Sequence, residues 1–230
     1  MSENGNGAAP EAAFFDVDET LISVKSMFRF LDFYLEARGE GPDTYRRLAG
    51  ELHRMAELGA ARENVNRAYY RLYVGEPERR LARLGAQWFA RESRAQDFWL
   101  PESVAEHDLL RKRGTRTVLV SGSFFACLDP IAEALGATDA LGAPVTVRGG
   151  LLTGEVGTPM IGQGKAHAAR DWLARHGLSP ARCAAYGDHT SDLPLLEAVG
   201  TPVVVGDEPQ MARLAERRGW RRLPYARAAA

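Results

Sequence analysis

Two carboxylates stand two residues apart in Asp16-Val17-Asp18, directly after the short apolar run Ala12-Ala13-Phe14-Phe15. In an extended chain, residues i and i+2 share a side. A buried strand ending on this pair would therefore open into a polar site. Two more strand-like runs stop the same way. Thr117-Val118-Leu119-Val120 leads into Ser121-Gly122-Ser123, and the run over 182–186 leads into Gly187-Asp188. In an open α/β sheet this edge is where ligands bind. Lys165 begins a helix that feeds the third of these strands.

Read chemically, the set comprises clustered carboxylates, a hydroxyl and one ammonium. Carboxylates converging on one point repel each other unless a cation neutralises them. A hard divalent ion with oxygen ligands fits best, Mg²⁺ first. Ser121 and the N–H groups after it form an anion cradle at a helix N-terminus. Lys165 adds a point positive charge. Together these groups suit a phosphoryl group rather than a carbonyl, and a free carboxylate beside them can attack phosphorus to give an aspartyl-phosphate.

The elements that must position these groups fall into two kinds. From about Val24 to Leu100, apolar residues recur at helical spacing in FRFLDFYLEA, YRRLAGELHRMAEL, VNRAYYRLYV and RRLARLGAQWFARES. Breaks fall at 39–42, at Gly59 and at 75–77, so three or four helices are expected, with most of their aromatics in a shared core. After Pro101 strands and helices alternate: helices over 103–113, 124–135, 165–176, near 192–199 and near 209–218, and strands over 117–120, 182–186 and 202–205. A hairpin around Gly149-Gly150 lies among them. This alternation predicts an α/β, Rossmann-like doubly wound parallel sheet with an inserted all-helical segment. The expected division is a disordered tail over 1–10, a core of 11–22 and 101–230, and the insert over 23–100.

Composition narrows the function. The 230 residues are 45% hydrophobic and 26% charged, with 29 basic against 30 acidic side chains and a net charge of −1. That balance gives no electrostatic footprint for nucleic acid or an anionic membrane. The N-terminus lacks the basic and apolar stretches of a signal peptide, and no apolar run approaches the ~18 residues of a membrane span. The two cysteines, Cys127 and Cys183, show no metal-ligand spacing. A soluble cytoplasmic protein is expected, with its oligomeric state left open. Of the 29 basic residues only Lys25, Lys112 and Lys165 are lysine.

The segments FFDVDETLI, VLVSGS, the lone Lys165 and YGDHTSD, in this order, resemble the four motifs of the haloacid dehalogenase superfamily of phosphotransferases. The helical insert after the first motif resembles the cap of its phosphoserine phosphatase-like branch, as does the 188 − 165 = 23 residue separation of Lys165 and Asp188. The likeness covers roughly residues 12–210. It implies that Asp16 is the nucleophile and Asp18 the general acid and base, with Thr20 orienting Asp18 or capping the turn. Ser121, the Gly122 amide and Lys165 would bind the phosphoryl oxygens. Asp188, with Asp16 and the Asp18 backbone carbonyl, would ligate Mg²⁺, and Asp192 would lie in the outer shell or on the ion.

Lys25, Ser123, His189 and Ser191 are the further candidates for orienting or touching substrate. Asn4, His53, His107, His167 and His176 are assigned no role. Two positions depart from the phosphoserine phosphatase pattern: Lys25 replaces a glutamate nine residues after the nucleophile, and Ser191 replaces an asparagine. The expected activity is hydrolysis of a phosphate monoester other than phosphoserine, such as that of a sugar, cyclitol, nucleoside or other acidic metabolite. The alternatives are phosphoryl transfer to an acceptor other than water and phosphoserine hydrolysis. A non-enzymatic phospho-accepting receiver is disfavoured, because no isolated middle-strand aspartate is present and such a domain has no use for a helical insert.

Overall fold

The computed structural model describes residues 9–225. Residues 1–8 of the expected tail, Asn4 among them, lie outside the described residues, as do 226–230. Pro10 is anchored, its carbonyl accepting from the Thr115 hydroxyl at 2.8 Å.

A six-stranded, all-parallel sheet forms the centre, in the order β3-β2-β1-β6-β7-β8. β1 (Ala12–Phe15) is fully buried, as expected of a strand covered on both faces. It pairs with β2 (Arg116–Val120) and β6 (Cys183–Gly187), Phe15 standing opposite both Leu119 and Tyr186. Asp16 donates its N–H to the Tyr186 carbonyl at 2.9 Å. This register brings the three polar strand ends to one edge.

β7 (Thr201–Val205) continues the sheet, and two edge strands, β3 (Asp139–Leu141) and β8 (Arg221–Leu223), complete it. Neither edge strand is expected from the sequence. Each has three residues and carries charge, which leaves no apolar run to detect and is how natural sheets blunt their edges. The helix expected over 192–199 is also shorter. A 3₁₀ turn at Thr190–Asp192 leads into a single turn, α8 (Leu193–Leu196), because the Asp192 carboxylate accepts from the His189 N–H and tightens the entry.

Four helices follow β1 in the insert: α1 (Ser26–Ala37), α2 (Pro42–Glu57), α3 (Arg62–Arg71) and α4 (Glu78–Glu92). α1 ends at Gly39 and α2 at Gly59, both left-handed at φ +76° and +84°, where glycine carries no steric cost. Phe30, Leu31, Tyr34 and Leu35 form the buried stripe of α1 and meet Tyr69, Tyr70 and Tyr73 from the end of α3. Phe30 also packs edge-on against Trp88 of α4 and against Phe124, just before α6 (Phe125–Leu135). The helices and the sheet thus share one apolar core. α5 (Pro101–Lys112) returns the chain to β2 and lays His107 against Phe15.

Two contacts fasten the helices. The hairpin β4 (Val145–Arg148) and β5 (Leu151–Val156) holds α3, with Arg67 donating to the Val156 carbonyl at 2.7 Å and the Leu152 N–H donating to the Glu76 carbonyl at 2.9 Å. α4 meets α6 backbone to backbone at Gly85, where an added Cβ would lie 1.8 Å from the Ala126 carbonyl oxygen. Gly85→Ala must push the two helices apart and is expected to destabilise the protein by about 3 kcal/mol or more. A urea midpoint equal to that of the wild type would refute this. α7 (Gln163–His176) and α9 (Pro209–Arg218) complete the layers, and no described helix is long and apolar enough to cross a membrane.

Candidate active site

Beyond β1 the chain makes a tight turn. The N–H groups of Thr20, Leu21 and Ile22 all converge on the Val17 carbonyl, and Glu19 adopts a left-handed φ of +61°. A non-glycine residue in that conformation is sparsely populated and typical of functional turns. The turn delivers Asp18 to the start of α1, where the Ser26 N–H donates to its Oδ2 at 3.1 Å. The other oxygen, Oδ1, is buried and has no hydrogen-bond partner among the described residues. The Thr20 hydroxyl reaches Asp188 Oδ1 at 3.0 Å instead of Asp18, because the reversal at Val17 swings it toward the end of β6.

Lys165, two residues into α7, sends its ammonium into the carboxylate cluster. Nζ lies 2.5 Å from Asp16 Oδ1 and 2.6 Å from Asp192 Oδ1, and all three side chains are buried. Asp16, Asp188 and Asp192 each offer an oxygen within 4.8 Å of the others. The Asp18 carboxylate, held by Ser26, is outside this trio.

One ammonium therefore faces three carboxylates in a buried space. Burial and then Asp192 push the Asp16 carboxyl up, with Lys165 pulling the other way. Burial and Asp192 also lift Asp188, to about 6. For Lys165, burial favours the neutral form, but Asp16 and Asp192 outweigh it and hold the ammonium above its usual range. Such an excess of buried negative charge, made entirely of oxygen donors, fits a hard divalent cation. Asp18 is driven by burial to about 7, against the opposing donation from Ser26, which lets it carry or release a proton near neutrality.

On the neighbouring strand end, the Ser121 hydroxyl accepts from the Ser123 N–H at 3.0 Å, which curls the loop. Ser123 is 1% exposed and its hydroxyl has no partner among the described residues. The Gly122 carbonyl is held by two donors from α3, Asn66 Nδ2 at 3.0 Å and the Tyr70 hydroxyl at 2.7 Å.

These groups form one wall of a cavity of about 460 Å³. The facing wall is apolar and comes from α1 to α3, chiefly Met27, Phe28, Leu52, Val65 and Tyr69. His53, assigned no role from sequence, lies against the Phe28 ring at 4.8 Å. Lys25 borders the cavity with its side chain 61% exposed and its Nζ 3.5 Å from Glu19 Oε2. His189 and Ser191 border it too, but engage each other: the Ser191 N–H and Arg62 Nη1 both donate to His189 Nδ1, at 3.0 and 2.9 Å. Burial and then Arg62 hold the ring below its usual pKa. Arg62 makes no ion pair among the described residues.

Sequence reasoning missed Arg62 and Asn66. Nothing separates Arg62 from the many other arginines, and Asn66 occupies an ordinary position in an amphipathic helix.

The sequence matches the haloacid dehalogenase-like hydrolases over residues 13–197. The chain belongs to that family. This haloacid dehalogenase-like hydrolase is 34% identical over 221 residues to phosphoserine phosphatase SerB1 of Mycobacterium tuberculosis, covering 91% of this chain and 69% of the relative. Among solved structures, a protein of unknown function from Bordetella pertussis Tohama I is similar at a TM-score of 0.83 and 27% identity, over 92% of this chain and 97% of that one. A phospho-aspartyl intermediate analogue of phosphoserine phosphatase shares the fold at a TM-score of 0.64 and 18% identity, over 89% and 90% of the two chains. The hydrolase is thus a phosphatase of the haloacid dehalogenase fold.

Proposed function

We propose that the protein is a Mg²⁺-dependent phosphomonoesterase that hydrolyses a small-molecule phosphate ester through an aspartyl-phosphate on Asp16. The observation carrying this is the pair of buried acids at the end of β1: Asp16 lies in the Lys165 cluster beside the Ser121 loop, and Asp18 keeps a buried oxygen without a partner among the described residues. An Asp16 oxygen attacks phosphorus and the phosphorus–oxygen bond to the alcohol breaks. Asp18 gives its proton to the departing alkoxide, then takes one from the water that attacks the aspartyl-phosphate. Inorganic phosphate leaves and both acids return to their starting states. Lys165, the Ser121 hydroxyl and the Gly122 amide hold the phosphoryl oxygens.

Mg²⁺, held by Asp16, Asp188 and the Asp18 backbone carbonyl with Asp192 on it or behind it, would supply charge neutralisation at the transferring group. Thr20 orients Asp188 for that task. The helices of 23–100 serve as a cap on a core of 11–22 and 101–230, excluding water and shaping the leaving-group side.

SerB1 is named for phosphoserine, but the rim here argues for another ester. Arg62 borders the cavity with no ion pair among the described residues, whereas Lys25 is paired with Glu19, so the uncompensated cation at the rim disfavours the ammonium of phosphoserine. Esters of a sugar, cyclitol, nucleoside or acidic metabolite fit better. The same reading has the protein act on small molecules in the cytoplasm, not on nucleic acid or a membrane, in keeping with its net charge of −1.

Asp18→Asn tests the mechanism. Released phosphate, measured with Mg²⁺ present, should fall by roughly 10²–10⁴ for alkyl esters and far less for p-nitrophenyl phosphate, whose leaving group needs no proton. Equal losses on both would remove Asp18 from the acid role.

A further inference from the structure

Asn66 carries a group that the hydrolytic steps do not use. The residue is 4% exposed and borders the cavity from α3. Its Nδ2 donates to the Gly122 carbonyl, and since a carbonyl only accepts, this contact settles which way the amide faces. Oδ1 is then a buried acceptor without a donor among the described residues. A buried acceptor left unmatched costs about 1–3 kcal/mol. The nearby groups do not relieve it. Tyr70 gives its hydroxyl hydrogen to Gly122, Tyr69 gives its own to the Met27 carbonyl at 2.7 Å, and Val65 and Met27 are apolar. An unmatched polar acceptor thus lies among the apolar side chains of this wall, one amide group away from the loop that holds the phosphoryl group.

We propose that Asn66 is a specificity-determining residue whose Oδ1 accepts a hydrogen bond from a hydroxyl of the leaving group. The substrate is then the phosphate monoester of a hydroxylated alcohol whose carbon skeleton rests on Phe28, Leu52 and Val65. This rests on the phosphatase reading above. Because Nδ2 is fastened to Gly122, the recognised hydroxyl belongs on a carbon close to the ester oxygen. A neutral hydroxyl suits the position better than an ammonium, given Arg62 at the rim. Within the range of esters proposed above, the apolar wall narrows the choice to a skeleton with some hydrocarbon or aromatic surface, such as a nucleoside, over a bare polyol.

The test compares four esters on the full chain with Mg²⁺: p-nitrophenyl phosphate, hexyl phosphate, 2-hydroxyhexyl phosphate and glycerol 1-phosphate. Wild type should favour 2-hydroxyhexyl over hexyl phosphate by about tenfold in kcat/KM, the value of one hydrogen bond. It should also favour it over glycerol 1-phosphate. In Asn66→Ala both alkyl esters should slow, because Gly122 loses a donor, but the tenfold preference should collapse toward unity. A wild-type ratio near one overturns the proposal without any variant, as does a ratio that survives in folded Asn66→Ala. If p-nitrophenyl phosphate is hydrolysed while the ratio is one, only the role of Asn66 fails. If no ester is hydrolysed, the phosphatase reading fails and the proposal with it.

Discussion

Asp16→Asn is expected to reduce phosphate release to less than about 10⁻³ of the wild-type kcat while leaving the thermal midpoint no lower than that of the wild type. The amide keeps the shape of the carboxyl but is no nucleophile, so covalent transfer stops. Its effect on the fold should run the other way. Asp16 shares a buried space with Asp188 and Asp192 against the single ammonium of Lys165. Removing one of three like charges relieves repulsion that burial makes severe. Stability and activity are opposed at this residue, as is common where a site is built from strained electrostatics. Circular dichroism melts and phosphate release on the same preparation decide the matter. Folded variant retaining more than a few per cent of the activity would falsify covalent catalysis by Asp16.

Lys165→Met should damage both properties. The ammonium bridges Asp16 and Asp192 from a side chain that is 6% exposed. Methionine fills most of the same volume but leaves three carboxylates facing one another with no cation. Breaking a buried ion pair from one side typically destabilises by about 3–5 kcal/mol. Hydrolysis should fall at least roughly 10²-fold, since the charge that meets the phosphoryl oxygens is gone. The loss of stability should depend on divalent ions: severe in chelator and partly reversed by millimolar Mg²⁺, which stabilises whatever state binds it. Thermal melts of wild type and variant, each with chelator and with Mg²⁺, give the four numbers needed. A variant that melts with the wild type in chelator would mean that Lys165 does not neutralise the cluster. Mg²⁺ failing to raise the variant's midpoint would count against the trio as a cation site.

The two variants remove opposite charges from one cluster, so their expected shifts in stability differ in sign. A purely packing view of these positions predicts small losses for both. The contrast therefore tests the charge balance itself.

The chain announces its strand ends by itself. Asp16, Ser121 and Asp188 each follow a short, mostly apolar run, and a buried strand that stops on a polar group is a short-range pattern. The parallel sheet then brings those ends to one edge, because the register of β1 with β2 and β6 leaves little choice. Lys165 was legible as the lysine opening a helix just upstream of the third strand. The helical insert was legible from its apolar period. The edge strands β3 and β8 were not, since three residues bearing charge have no period to read.

Tertiary packing decided the rest. Which face of α3 looks into the cavity depends on the hairpin that holds Arg67 and on the docking of α4 on α6 at Gly85, contacts between residues far apart in sequence. That packing turns Asn66 and Tyr70 onto Gly122 and Arg62 onto His189, while in sequence the same residues read as an ordinary helix surface. It likewise sends Thr20 to Asp188 and sets Lys25 against Glu19. Local sterics and hydrophobic period determine where an element begins, ends and buries a face. The partner of a polar side chain is set by the positions of other elements, and no short stretch of sequence contains them.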